Sequence, residues 1–422
     1  MASDQEIVIT GLGILSPIGI GKEAFWQSLV DGQSGVSHRE MFRGETFPFA
    51  IAAEVKGFNG KEYVDRKARK SLKMMCREIQ MAYAAAKLAM DDASLAVGEI
   101  DPDRLGCVLG SELFYTEVGD LEQVYRSTIE DGKFDFDKWG DCAMRDVFPL
   151  WMLKYLPNMP ACHIGIAYDA RGPNNTIVSD DCSSLSAISE ASHMLRRGSA
   201  DVMITGGVGS KTNLAAMAFK RDLEMSNRID EPERASRPFD ADRDGLVGGE
   251  GSCLYVLETR RHAEARGATI LARIVGHGQS FGLDTDDELG VAAKGSIKAA
   301  LRSADLQPSD IGHVNAHGRS TVRSDRTEAS AIRGTLGDVP VVAPKSYFGA
   351  LASGGGAVEM AVSVLALQND LIPVTLNYET PDPECPINVV HKEPQPLRTP
   401  FAITLSQGEM GQANAIVLAA EN

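Results

Sequence analysis

The arrangement that most constrains the fold is a strand–helix–strand unit between residues 176 and 205. Residues 176–179 predict a strand, and apolar residues at helical spacing between 185 and 195 predict a helix that ends at Gly198. The run 202–205 predicts a second strand that stops at Gly206 and Gly207. This succession indicates a parallel sheet, so the chain is predicted to be an α/β protein.

A similar succession follows in the second half of the chain. Strands are predicted at 313–316, 339–342, 401–404 and 415–418, with helices over 326–334 and from a glycine-rich turn at 354–356 to about residue 367. Near the start, residues 7–10 predict a buried strand ending in a turn at Gly11 and Gly13, and the periodicity of 67–92 predicts a helix. No linker separates the two sets, which favours two α/β halves in one compact body.

Charge and composition exclude several classes of protein. The 422 residues are 24% charged, as in ordinary globular domains, and 42 basic against 58 acidic residues give a net charge of −16. Nucleic acid and anionic membranes would repel such a chain. No apolar stretch suits a membrane helix, and the acidic start lacks the basic region of a signal peptide, so a cytoplasmic location is expected. None of the seven cysteines forms a C-x-x-C pair, and no metal site is expected.

Cys182 is the first candidate for chemistry. It lies between a predicted strand and a predicted helix, and the positive end of a helix stabilises a thiolate. Asp180 and Asp181 oppose this, because adjacent carboxylates raise the pKa of a thiol. From this local pattern alone, a nucleophile and a buried structural cysteine are equally good interpretations.

Two further candidates follow predicted strands of the second half. His317 stands at a strand end, where α/β folds place ligands, although a surface histidine in a turn is the simpler interpretation. Lys345 follows an apolar strand and could pair with Glu359 on the next helix, or it could be an exposed loop lysine.

Several ordered motifs resemble the elongating β-ketoacyl-acyl-carrier-protein synthase family nearly from end to end. The most specific stretch is Ala235-Ser236-Arg237-Pro238-Phe239-Asp240 with the following Gly249-Glu250-Gly251, and other matches are Cys182-Ser183-Ser184 and Asn315-Ala316-His317-Gly318. The resemblance implies a thiolase-like five-layer α-β-α-β-α fold with two pseudo-symmetric halves. Residues 1–255 would carry the cysteine, and 256–422 the histidine and lysine.

The resemblance also implies roles for individual side chains. Cys182 would carry the acyl group as a thioester, and His317 would polarise the malonyl thioester or stabilise its enolate. Lys345 would shape the electrostatics with Glu359. Further implied residues are Asp325 and Glu328 as supports and Thr321 in the channel for phosphopantetheine, which arrives with the carrier protein, so that no resident cofactor is expected.

The chain departs from the family pattern at several places near this site. Ala350 stands where the family has a second active-site histidine, five residues after the lysine. Losing one such hydrogen-bond donor costs about 2.7–4 kcal/mol, or roughly 10²–10³ in rate, so condensation should be slow unless another donor has taken its place. Arg319 replaces a threonine in the pantetheine channel. The closing loop of the family is altered over 406–414, where Glu409 would oppose a developing oxyanion if it pointed inward.

A basic cluster interrupts the otherwise acidic sequence and matches the place where the family docks its acyl carrier protein. Such a patch would steer an acidic carrier towards the channel, although most charge runs are simply solvated helix faces. The cluster comprises Arg66, Lys67, Arg69, Lys70, Lys73 and Arg77.

Three functions compete on these observations. The first is a ketosynthase of fatty-acid or polyketide synthesis that condenses an acyl group on Cys182 with a malonyl thioester. The second is an acyltransferase or thioester hydrolase that uses Cys182 and His317 without decarboxylation. The third is a non-catalytic partner resembling a chain-length factor, against which the retained cysteine counts. A homodimer is expected, with a heterodimer with another ketosynthase as the alternative.

Overall fold

The computed structural model describes residues 5–42, 48–66, 68–219, 224–285 and 288–421. Its strands are Ile7–Ser16 (β1), Gly19–Ile20 (β2), Val36–His38 (β3), Ile51–Ala53 (β4), Leu105–Gly110 (β5), Ile129–Glu130 (β6), Lys133–Phe134 (β7), Asn174–Ile177 (β8), Val202–Ser210 (β9), Glu250–Thr259 (β10), Ala272–Phe281 (β11), His313–Asn315 (β12), Pro340–Val342 (β13), Leu371–Ile372 (β14), Asn388–Val389 (β15), Gln395–Pro396 (β16), Phe401–Gln407 (β17) and Gln412–Ala419 (β18).

The helices lie between these strands in chain order. They are Lys22–Val30 (α1), Arg77–Asp92 (α2), Val118–Thr128 (α3), Phe136–Asp146 (α4), Met159–Tyr168 (α5), Ser183–Arg196 (α6), Leu214–Phe219 (α7), Arg260–Ala265 (α8), Val291–Ala304 (α9), Val322–Leu336 (α10), Lys345–Phe348 (α11) and Gly355–Asn369 (α12). Among the residues placed by the structure, none of these helices is long and apolar enough to cross a membrane.

The central sheet repeats one pairing pattern in each half of the chain. In the order β1-β10-β9-β5-β8 the first two pairings are antiparallel and the next two are parallel. The order β11-β18-β17-β12-β13 has the same succession of pairings. The two sets join where β1 pairs antiparallel with β11, at Ile7 opposite Ile274. The predicted α/β fold with two pseudo-symmetric halves is therefore confirmed.

Helices cover both faces of each half and produce the predicted five layers. α2 packs on β1 and β10 at one outer face, and α9 packs on β11 and β18 at the other. α6 and α12 contact each other and strands of both halves, so they form the shared middle layer. α12 is apolar on all sides, and its residues 355–367 are all buried, as expected of a helix between two sheets. The predicted division between residues 255 and 256 falls within β10 and stays a prediction.

Two predicted glycine turns are wrong. β1 continues through Gly11 and Gly13 to Ser16, and β9 continues through Gly206 and Gly207 to Ser210. A Cβ atom at Gly13 would lie 2.0 Å from the carbonyl oxygen of Ala85 in α2. The glycines of β1 therefore allow a helix to pack closely on the strand, rather than reverse the chain.

The predicted helix over 67–92 begins later than expected. α2 starts at Arg77, because Cys76 before it has an extended backbone (φ −66°, ψ 175°), and residues 69–74 form a short 3₁₀ segment. The strand–helix–strand unit around Cys182 is confirmed as β8-α6-β9, with both strands parallel to the β5 strand between them.

Candidate active site

Cys182 lies directly before α6, after a tight turn. Asp180 in that turn has a left-handed backbone conformation (φ 52°), which aspartate tolerates better than most residues. The Cys182 thiol is 1% exposed and donates weak hydrogen bonds to the carbonyl oxygens of Ser406 (3.5 Å) and Gln412 (3.6 Å). These carbonyls lie within the closing loop, 406–414, whose central residues 408–411 connect the two strands that contact the thiol.

The surroundings of Cys182 keep its thiol protonated. Burial raises the pKa of Cys182 to about 12, the charges of Asp181 and Asp180 act in the same direction, and the hydrogen bond at Ser406 opposes them. The opposition between the helix terminus and the two carboxylates is thus resolved in favour of the thiol form. Acylation of Cys182 therefore requires that its proton be removed as the substrate arrives.

His317 follows β12 and is held as a neutral imidazole. Lys345 Nζ lies 3.0 Å from His317 Nδ1, donates to the His317 carbonyl oxygen at 2.7 Å, and forms a buried ion pair with Glu359. Burial and the neighbouring Lys345 charge lower the pKa of His317 well below its usual value. Because Nδ1 accepts from the ammonium, the remaining imidazole proton lies on Nε2.

Two buried carboxylates fix the loop that carries His317. Glu328 accepts the backbone N–H groups of His317 and Gly318 at 2.7 Å each. Asp325 accepts those of Ser320 (3.1 Å) and Phe239 (2.8 Å). Burial raises the pKa of Glu328 to about 7 and that of Asp325 to about 6, although the N–H donors act against both shifts. Both carboxylates therefore hold the backbone of the loop after β12.

Ala350 lies within the buried wall of this region. It is 1% exposed, its N–H donates to the Val247 carbonyl oxygen at 2.8 Å, and its own carbonyl oxygen accepts from Gly249 at 2.9 Å. The position therefore offers a methyl group where the resemblance predicts a second imidazole. The histidine nearest in sequence to His317, His313, has its Nε2 3.1 Å from Ser363 Oγ.

A charged network surrounds the thiol and the imidazole. Asp181 Oδ2 lies 3.7 Å from His317 Nε2, and Asp181 Oδ1 lies 3.2 Å from Lys211 Nζ. The charge of Lys211 is the main influence that lowers the pKa of Asp181, against the effect of burial. Sequence reasoning missed Lys211, whose only signal is its place one residue after β9. It also missed Asn414, whose amide donates to the Cys182 carbonyl oxygen at 2.9 Å.

Glu409 on the closing loop is turned towards Arg319. Arg319 Nη2 donates to Glu409 Oε1 at 2.6 Å, and the Glu409 N–H donates to Asp180 Oδ2 at 2.9 Å. The Glu409 side chain is 42% exposed. Its charge is therefore balanced by a guanidinium, so the expected opposition to an oxyanion is reduced.

An open cavity of about 470 Å³ lies on the outer side of the closing loop. It is lined by Arg319, Thr321, Glu409 and Gln412 among others, and Cys182 is not in its wall. Arg319 and Thr321, which the resemblance assigns to the pantetheine channel, thus both line this cavity. With Cys182 1% exposed, the thiol is not reached directly from this cavity.

The predicted docking cluster is only partly available at the surface. Arg66, Arg69, Lys70 and Lys73 are exposed, and Lys67 lies outside the described residues. Arg77 instead forms a bidentate pair with the buried carboxylate of Glu250, at 2.7 Å at its shortest, and is only partly exposed.

The site is assembled from both halves of the chain. Cys182 and Lys211 come from the first half, and His317, Lys345 and Glu359 from the second, with Asp181 between the imidazole and Lys211. A buried thiol and a neutral imidazole are groups suited to acyl transfer.

Comparisons with known proteins agree with this architecture. Residues 4–263 match the family described as "Beta-ketoacyl synthase, N-terminal domain", and residues 268–379 match "Beta-ketoacyl synthase, C-terminal domain". The chain is 34% identical to 3-oxoacyl-[acyl-carrier-protein] synthase 2 of Coxiella burnetii, over 98% of both chains. It is 32% identical to the synthase of the same name from Staphylococcus aureus (strain COL), over 99% of both.

Solved structures show the same fold. A β-ketoacyl synthase from Burkholderia phymatum STM815 superposes with a TM-score of 0.86 at 28% identity, covering 99% of this chain and 100% of that one. The ishigamide ketosynthase/chain length factor superposes with a TM-score of 0.85 at 26% identity, covering 99% of both. The chain belongs to the β-ketoacyl synthase family.

Proposed function

We propose that this protein is a condensing acyltransferase of fatty-acid or polyketide synthesis. It takes an acyl group from an acyl carrier protein onto Cys182 and joins it to a two-carbon unit from a malonyl thioester. The observation that carries the proposal is the position of Asp181, the residue before the nucleophile, 3.7 Å from His317 Nε2. Because Asp181 directly precedes Cys182, this contact supports a site shared by the thiol of one half and the imidazole of the other.

The first step is transfer of the acyl group to sulfur. The Cys182 sulfur attacks the thioester carbonyl, the carrier's thiol leaves with the proton, and the acyl group remains on the enzyme. Because the pKa of Cys182 is raised to about 12, little thiolate is present at neutral pH. The reaction then depends on proton removal in the closed site, after the closing loop has admitted the substrate.

The carrier protein is proposed to dock on the exposed basic residues beside the N-terminal end of α2. An acidic carrier would be attracted to these cations in a chain of net charge −16, which repels it elsewhere. One similar solved structure is a type II PKS acyl-carrier protein in complex with its ketosynthase. Charge reversal in Arg69→Glu/Lys70→Glu should weaken carrier binding at low salt, and Arg261→Glu/Arg302→Glu, at exposed sites elsewhere, should not. Equal binding by both variants contradicts this docking site.

The protein is proposed to act as a dimer, a homodimer in the first instance. β8 ends the central sheet, where it pairs with β5 on one side. Val178 and Ile166 beside it are 56% and 80% exposed, which is a large exposure for apolar side chains. A second chain would cover this edge and its apolar residues. Sedimentation of the purified protein, alone and after co-expression with a second ketosynthase, distinguishes a homodimer from a heterodimer.

Mass spectrometry of the intact protein tests the proposed reaction. Incubation with an acyl-carrier-protein thioester should add one acyl group to the wild type and none to Cys182→Ala. Addition of malonyl carrier protein should then release carbon dioxide and give a ketoacyl product two carbons longer. Acylation followed only by transfer or hydrolysis would instead identify the second function. Absence of acylation would favour the non-catalytic partner.

A further inference from the structure

A buried charged pair that no sequence motif indicated lies beside the thiol. Lys211 and Asp181 have side chains that are only 4% and 2% exposed, and their charged atoms are 3.2 Å apart. Lys211 Nζ, both oxygens of Asp181 and His317 Nε2 have no hydrogen bond among the residues that the structure describes. Buried polar atoms are nearly always hydrogen-bonded, so a group of such atoms around one point indicates a place for a polar ligand group.

The backbone places Lys211 next to the segment that holds Ala350. The Lys211 N–H donates to the Gly249 carbonyl oxygen at 2.8 Å, and the Gly249 N–H donates to the Ala350 carbonyl oxygen at 2.9 Å. A Cβ atom at Gly248 would lie 2.5 Å from the Lys211 carbonyl oxygen, so no side chain fits at that position. Lys211 and Ala350 are therefore separated by one glycine segment.

The ammonium of Lys211 keeps its charge in this enclosed position. Burial lowers its pKa, but the nearby carboxylates, Asp181 first among them, reverse the effect and leave the pKa above its usual value. Two donors thus lie close to one carboxylate: the Lys211 ammonium, 3.2 Å from Asp181 Oδ1, and His317 Nε2, 3.7 Å from Asp181 Oδ2.

We propose that Lys211 is the second donor to the thioester oxygen of the malonyl group, in place of the imidazole that Ala350 cannot supply. This inference rests on the proposed condensation and names the residue that makes its decarboxylation step possible. Asp181 acts as a positioning residue, because its Oδ1 holds the ammonium while its Oδ2 lies beside His317 Nε2.

Decarboxylation of the malonyl group generates the carbon nucleophile. The bond between the malonyl carboxylate and the adjacent carbon breaks, carbon dioxide leaves, and the electron pair passes into the enolate with its charge on the thioester oxygen. Hydrogen bonds from Lys211 and from His317 Nε2 stabilise that charge, and no proton is transferred. The enolate carbon then attacks the acyl carbonyl on Cys182, a carbon–carbon bond forms, and the Cys182 thiolate leaves.

The test separates acylation from decarboxylation in Lys211→Met. We expect Cys182 acylation to stay within about threefold of the wild type while carbon dioxide release from malonyl carrier protein falls about 100-fold, the usual effect of losing one such donor. Lys211→Arg, which keeps a cation, should retain more activity than Lys211→Met. Lys298→Met, at an exposed lysine of α9, is the matched control and should change neither rate.

Restoring a donor provides the decisive comparison. In the double variant Lys211→Met/Ala350→His, an imidazole replaces the lost ammonium, and carbon dioxide release should recover at least about tenfold over Lys211→Met. A purely structural loss at Lys211 would not be repaired in this way. Failure of the double variant to recover would overturn the role of Lys211.

A second variant covers the case in which Lys211→Met does not fold, and the pattern of rates shows which of the two proposals fails. If Lys211→Met does not fold, because Asp181 is left buried without its partner, Asp181→Asn/Lys211→Met removes both charges and should show the same loss. Wild-type decarboxylation in a folded variant lacking Lys211 overturns this inference alone. A wild type that acylates Cys182 but never releases carbon dioxide overturns both this inference and the proposed condensation.

Discussion

The part of the site around His317, here called the imidazole side, and the part around Cys182, the thiol side, bind their buried carboxylates in different ways. On the imidazole side, Glu328 and Asp325 each accept two backbone N–H groups, so that every oxygen has a hydrogen bond. On the thiol side, Asp181 is equally buried, yet neither of its oxygens has a hydrogen bond among the described residues. Glu328 and Asp325 are therefore fully bonded to the main chain, whereas Asp181, like Glu359 at its Oε2, has an oxygen without a hydrogen bond among the described residues.

This difference separates carboxylates that fix the backbone from a carboxylate that can interact with a ligand. A carboxylate bonded twice to the main chain fixes the geometry of a loop and has little capacity left for a ligand. A carboxylate held by an ion pair alone can adjust when another polar group arrives. We therefore expect substitutions on the imidazole side to act mainly on stability, and those on the thiol side to act mainly on reactivity.

Glu328→Ala should have the largest effect. It leaves the N–H groups of His317 and Gly318 buried without an acceptor, which should lower the free energy of unfolding by about 3 kcal/mol. Glu328→Gln keeps one acceptor oxygen and should lose less. Urea denaturation followed by circular dichroism measures both. A loss below about 1 kcal/mol for Glu328→Ala would contradict the scaffold role of this side.

The pH dependence of thiol alkylation should be the next largest effect. Because the pKa of Cys182 is about 12, the thiolate fraction rises about tenfold per pH unit below that value. Iodoacetamide labelling of Cys182, followed by peptide mass spectrometry, should therefore accelerate about 100-fold between pH 7 and pH 9 without reaching a plateau. A plateau near pH 8 would mean that burial and the neighbouring carboxylates together do not raise the thiol pKa.

Asp181→Asn should raise the reactivity of Cys182. Removing the adjacent negative charge lowers the thiol pKa, and a shift of one unit gives about tenfold faster alkylation at pH 8. Asp201→Asn, at a carboxylate paired with Arg104 away from the site, serves as the control. If labelling is no faster in Asp181→Asn, burial alone sets the thiol pKa, and the contrast between the two sides loses its electrostatic basis.

Glu409→Gln should have the smallest effect, on access to the thiol. The Arg319–Glu409 pair is partly exposed and contributes at most about 1 kcal/mol, so its loss should speed labelling of Cys182 by no more than about fivefold. Glu264→Gln breaks a comparable exposed pair with Arg260 and should leave labelling unchanged. Unchanged labelling in Glu409→Gln would show that the pair does not restrain the closing loop.

The strand–helix–strand units could be predicted because each is encoded locally. Apolar periodicity and a glycine at the end of the helix identify β8-α6-β9 without knowledge of the rest of the chain. Gly11 and Gly206 were misinterpreted for the same reason. A glycine that ends a strand and a glycine that admits a close neighbour look alike in sequence, and only the position of α2 or β10 distinguishes them.

Only those residues of the candidate site that belong to sequence motifs could be predicted. Cys182, His317 and Lys345 belong to recognisable motifs, and the structure brings their surroundings together. Lys211 has no motif, since its role depends on Asp181, which is thirty positions earlier in the chain and is brought near by the packing of α6 against β9. A lone lysine after a strand is usually exposed, and only its burial beside a carboxylate reveals a site.

The middle-layer helix α12 has a consequence for how this protein can diversify. Residues 355–367 are all enclosed between the halves, so nearly every substitution in this helix would disturb its packing and lower stability. Glu359 on this helix is anchored there, so the partner of Lys345 cannot be relocated by small steps. New specificities in this lineage should therefore arise from the closing loop and the turn before Cys182, while α12 stays nearly constant.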